Sequence, residues 1–143
     1  MKKYGPQLLF CLLVAAAAIT IACGSSSSHI PQSVAVTPPT ADAKEFPGGD
    51  VQFTATASYN SMPSPVKNVS ATWTACGSAG SLEPANLVTV SSSGVAQCLS
   101  GASGTYTVYA FVPDPAFRSA CPGSLLCGNS CGGVVGSAQL TCP

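Results

Sequence analysis

The stretch VQFTATASY, residues 51–59, decides the fold class. Its apolar residues fall at every second position: Val51, Phe53, Ala55, Ala57 and Tyr59 on one face, Gln52, Thr54, Thr56 and Ser58 on the other. Successive side chains of a strand point to opposite faces, so this alternation describes a strand buried on one side and wet on the other. No stripe of helical spacing appears beyond residue 23. Working outward, further strands are predicted at 33–37, 69–75, 87–90, 95–99, 105–112 and 134–141. Turn chemistry separates them: PGGD at 47–50, MPSP at 62–65, SSSG at 91–94 and SGASG at 100–104. Seven short strands so punctuated predict an antiparallel β-sandwich with almost no helix.

Two landmarks narrow this to an immunoglobulin-like sandwich of about seven strands. Trp73, the sole tryptophan, lies in SATWTA of the third strand, where such folds bury an indole against the facing sheet. Tyr106, in GTYTVYAF, stands two residues before Val108, which takes the place of the second core cysteine of antibody domains; Tyr106 thus fits the tyrosine corner. Val108 and Ala55 are then expected to fill the core where antibody domains place a disulfide. In chain order, VAVTPPT, GGDVQFTATASY, VSATWTA, VTVSSSGVAQ and GTYTVYAF resemble the bacterial immunoglobulin-like (Big) domains, group 2 in particular. The resemblance covers about residues 33–112, with 134–141 as the last strand. It implies a rigid surface module for adhesion, display or spacing, and it brings no catalytic residue with it. The long connection at 113–133 and the many cysteines depart from the common pattern of that family.

Composition excludes several functions. Charged residues make up 7% of the 143 residues. Beyond residue 22 they are Lys44, Lys67 and Arg118 against Asp42, Glu45, Asp50, Glu83 and Asp114, three basic groups against five acidic ones. A polyanion needs a track of clustered Lys and Arg, so nucleic acid is not an expected partner. His29, the only histidine, lies outside the predicted sandwich and is read as a solvated linker residue, which leaves the serines no base to activate them. No catalytic residue, cofactor or metal is therefore expected. The acidic residues near 42–50 read as solvated charge at strand ends, and the glycosylation pattern Asn68-Val69-Ser70 as coincidence.

The N-terminus reads as an export signal over residues 1–22. Lys2 and Lys3 form a positive start, residues 8–21 an apolar run too short for a comfortable membrane span, and Ala22 a small residue before Cys23. Thr20-Ile21-Ala22-Cys23 resembles a bacterial lipobox, with Thr20 where Leu is usual. The resemblance implies a lipid on the Cys23 thiol, a tether over 23–32, attachment to a membrane through that lipid, and a place in the cell envelope, at the outer membrane or cell surface. Ordinary cleavage and release of a soluble protein is the alternative.

Six cysteines remain beyond Cys23: Cys76, Cys98, Cys121, Cys127, Cys131 and Cys142. An even number in an exported, charge-poor chain predicts disulfides, and many pairings are open. Strand directions favour Cys76 with Cys98, since both lie near the start of the sixth strand. Their spacings lack the paired short knuckles of a structural zinc site. The connection at 113–133 reads either as a stapled cap over the core or as a recognition loop carrying Phe117, Arg118, Leu125 and Leu126. A binding module would then take a protein or carbohydrate ligand. An accessory or inhibitory subunit would dock the same connection onto an envelope enzyme or secretion assembly. A thiol-redox or metal-handling protein is the third reading.

Overall fold

The alternating stretch forms two strands, β3 (Asp50–Gln52) and β4 (Thr54–Tyr59), divided at Phe53. The computed structural model describes residues 29–77, 85–115, 127 and 132–143. Val51, Phe53, Ala55 and Ala57 are all buried, Gln52 is exposed, and Thr54, Thr56, Ser58 and Tyr59 are half-buried. The division has a cause in the pairing. β3 runs antiparallel to β8 (Val95–Cys98), which pairs in turn with β7 (Val88–Val90). β4 pairs instead with β1 (Pro31–Thr37) on one side and the two-residue β5 (Val66–Lys67) on the other. Where β8 stops and β5 has not begun, a notch opens beside Phe53. These six strands, β1, β3, β4, β5, β7 and β8, make the first layer.

The second layer has the order β2-β10-β9-β6, with β2 at Thr40–Asp42, β6 at Thr72–Cys76, β9 at Gly104–Pro113 and β10 at Gly133–Cys142. β1 and β2 are one strand passing from layer to layer at Pro38 and Pro39. Neither proline has an N–H to give a ladder, and the Pro39 carbonyl accepts from the Gln139 N–H at 2.9 Å. β2 lies parallel to β10; every other pairing is antiparallel. The result is an immunoglobulin-like sandwich.

The predicted strands are present, with differences at their ends. β2 and β5 are too short to carry a readable period. The third strand begins at Thr72 rather than Val69, because the Val69 N–H donates to the Ala55 carbonyl of the other layer at 3.1 Å. Helix is confined, among the described residues, to single 3-10 turns at Ala43–Glu45 and Pro47–Gly49.

Among the described residues, Phe53, Leu140, Val51 and Val108 are the largest fully buried apolar side chains besides Cys76, and alanines fill most other inward positions. Trp73 and Tyr106 are half-buried and pack against this core. The indole takes its position because residue 94 is glycine. Gly94 has φ +85°, and a Cβ there would lie 2.5 Å from the Phe53 carbonyl oxygen and 3.0 Å from Trp73 Cζ2. Gly94→Ala combines an unfavourable backbone with overpacking, and is expected to lower stability by about 2 kcal/mol or more, read as a lower urea midpoint at unchanged slope.

Candidate functional site

Strand parity sorts the cysteines. On β6, Trp73 and Ala75 face the core, so Cys76 faces outward; on β9, Tyr106, Val108 and Ala110 face inward and Thr107, the partner of Cys76, outward. On β8 and β10 the parity is reversed: Cys98 and Cys142 join Ala96, Ala138 and Leu140 on the inner faces of opposite layers. The disulfides follow this division. Cys98 pairs with Cys142 across the sandwich, and Cys76 with Cys127 on the outer face, each at a Cα separation of 5.8 Å. The expected bridge between Cys76 and Cys98 is therefore corrected. Both do lie at one end of the molecule, but the sheet stands between their side chains. Cys127 is buried there, bonded to Cys76 at the level of Thr107.

His29 is also placed differently from the solvated linker residue expected. Its ring meets Tyr59 edge-on with centroids 3.9 Å apart, and Nε2 is buried with no hydrogen-bond partner among the described residues. The neighbouring backbone explains the docking. The Ile30 N–H donates to Asn60 Oδ1 at 2.9 Å and the Asn60 N–H to the Ile30 carbonyl at 3.1 Å. Cys23, Cys121, Cys131, Phe117, Arg118, Leu125 and Leu126 lie outside the described residues. Among those described, no cluster of His, Cys, Asp and Glu able to hold a metal ion occurs.

The notch beside Phe53 is a groove of about 380 Å³ that sequence reading did not single out. The indole of Trp73, carried by β6 of the second layer, forms part of its wall, with Val69 and Ala55. Besides Phe53, the other described residues that line it are polar and uncharged: Gln52, Thr54, Asn68, Ser70, Ser92 and Ser93. Each rim is fixed by hydrogen bonds. Gln52 Nε2 donates to the carbonyls of Phe53 at 2.7 Å and Ser93 at 2.8 Å, which ties β3 to the β7–β8 turn. Within that turn, Ser91 Oγ accepts from the Val95 N–H at 3.0 Å and Gly94 N–H donates to the Ser91 carbonyl at 3.0 Å. On the same rim, the Phe53 N–H donates to the Gly94 carbonyl at 2.9 Å. On the other rim Asn68 holds φ +53°, a left-handed conformation that asparagine tolerates better than most residues. The only signal in the sequence was Trp73 itself, read there as core.

No protein-family model matches the chain, and a search of curated proteins gave no match.

The two bridges differ in what they hold. Cys98–Cys142 ties the layers together, whereas Cys76–Cys127 ties the connection to one of them. Replacing Cys98 and Cys142 together by alanine is expected to cost about 2–4 kcal/mol and to lower the midpoint of urea unfolding accordingly.

Proposed function

We propose that the chain is a lipid-anchored, immunoglobulin-like module of a bacterial cell envelope, serving adhesion or binding at the surface and carrying no catalysis. The observation that supports it best is the pair of disulfides, Cys76–Cys127 and Cys98–Cys142. Such bridges form and persist in an oxidising compartment, extracellular or periplasmic. No helix among the described residues is long and apolar enough to cross a membrane. Attachment in this reading comes from Cys23. In it the Cys23 thiol carries diacylglycerol and the signal is cut before Cys23, and two or more acyl chains hold a protein at a bilayer where one alone is marginal. The order of strand motifs, from VAVTPPT to GTYTVYAF, supports a place among the group 2 bacterial immunoglobulin-like domains, which implies a rigid surface module.

Intact mass measurement of the protein from its native envelope tests this reading. The expected mass begins at Cys23 and carries lipid, and thiols become available to alkylation only after reduction. Cys23→Ala should leave the sandwich folded and move the protein from the membrane to the soluble fraction. An unlipidated chain cut elsewhere would overturn the anchor.

A further inference from the structure

We propose that the groove beside Trp73 is a binding site for a neutral saccharide; the proposal deepens the reading of the chain as a binding module. Three features of the groove point to this ligand class. First, its wall includes a half-buried indole held in place by the close approach of Gly94. The face of an indole is electron-rich, and the polarised C–H bonds on the apolar face of a pyranose stack on it. Second, hydroxyl and amide side chains surround the indole: Gln52, Thr54, Asn68, Ser70, Ser92 and Ser93. They supply donors and acceptors in the mixture that vicinal sugar hydroxyls require. Both Nε2 hydrogens of Gln52 are committed to backbone carbonyls, which orients the amide and leaves Oε1 to accept from a ligand.

Third, no charged side chain among the described residues lines the groove. A phosphate, sulfated glycan or uronic acid polymer would lose hydration there without gaining a counter-charge. A peptide anchor wants a deep apolar pocket for its side chain, whereas here the indole, with Val69 and Ala55, lies between polar rims in an open groove. The rims are also preorganised: the β7–β8 turn is closed by its own hydrogen bonds and tied to β3, so little conformational freedom remains to be lost on binding.

Trp73 is the sole tryptophan, so its emission reports on this site alone. The full chain purified in detergent from its own membrane would be titrated with neutral tri- and tetrasaccharides of glucose, galactose, mannose and N-acetylglucosamine, and with polygalacturonate and heparin as charged comparisons. A saturable emission change with at least one neutral saccharide, together with protection of Trp73 from acrylamide quenching, is expected. Asn68→Gly removes the amide at a position where glycine suits the backbone, so it should weaken binding about tenfold at unchanged melting temperature. No response to any neutral saccharide, response to the polyanions alone, or undiminished binding by Asn68→Gly would each overturn the site. The mass of the same preparation separates the two failures. A lipid-bearing chain that ignores saccharides sinks the groove and leaves the envelope reading standing, and an unlipidated chain that binds them does the reverse.

Discussion

The inner faces of this sandwich are lined mainly by alanine and valine, and the rest of the structure depends on that choice. Ala55, Ala57, Ala75, Ala96, Ala110 and Ala138 take strand positions where larger residues could stand, so the two layers approach closely. The closeness is visible at Gly136, where a Cβ would lie 2.6 Å from the Val34 carbonyl oxygen of the facing layer. Burial stabilises by roughly 25 cal/mol per Å² of apolar surface, and a methyl group offers little of it. A core of this kind leaves stability to be made up elsewhere. The bridges close chain segments of 51 and 44 residues, worth about 4 kcal/mol each in the chain-entropy model, though the segments overlap and the two contributions do not simply add.

Parity governs the bridges as firmly as it governs the core, and it explains both what the sequence revealed and what it concealed. The alternation in 51–59 was strong enough to identify the buried face residue by residue, from Val51 to Ala57. The same rule applied to SATWTAC places Cys76, three residues after Trp73, on the opposite face from the indole. Expecting Cys76 to meet Cys98 used strand direction and ignored the pleat. Direction identified the correct end of the molecule; the pleat alone decided the partner. β2, β5 and the division at Phe53 were beyond such reasoning, because they arise from a change of partner strand and leave no periodic trace.

The groove belongs to that second class. Its residues come from four separate stretches of chain, and none is unusual in its own stretch: a Gln and a Thr on a strand, serines in a turn, an Asn beside a short strand. What assembles them is the interrupted pairing along β3 and β4, which opens one layer and shows the indole of the other through the gap. Trp73 was legible as a landmark of the fold. Its half-exposure was not, since that depends on where β8 ends and β5 begins.

The disulfide between layers also bears on the groove, although it stands at the end of the molecule. The turn that carries Ser92 and Ser93 is the tip of the β7–β8 hairpin, whose far end is Cys98. Along β8 the hairpin is held by β3 through the register of Asp50 with Gln97, Val51 with Ala96 and Gln52 with Val95. Gln97 Nε2 adds a hydrogen bond to Asp50 Oδ1. These pairings fix the hairpin laterally, and just before β7 the Ala85 N–H donates to the Ala75 carbonyl of β6 at 2.8 Å. The bridge from Cys98 to Cys142 adds a covalent restraint across the sandwich, fastening the hairpin's base to β10 of the second layer, the layer that also carries Trp73. The turn and the indole thus meet across the notch with their separation set by a covalent link on one side and by Gly94 on the other.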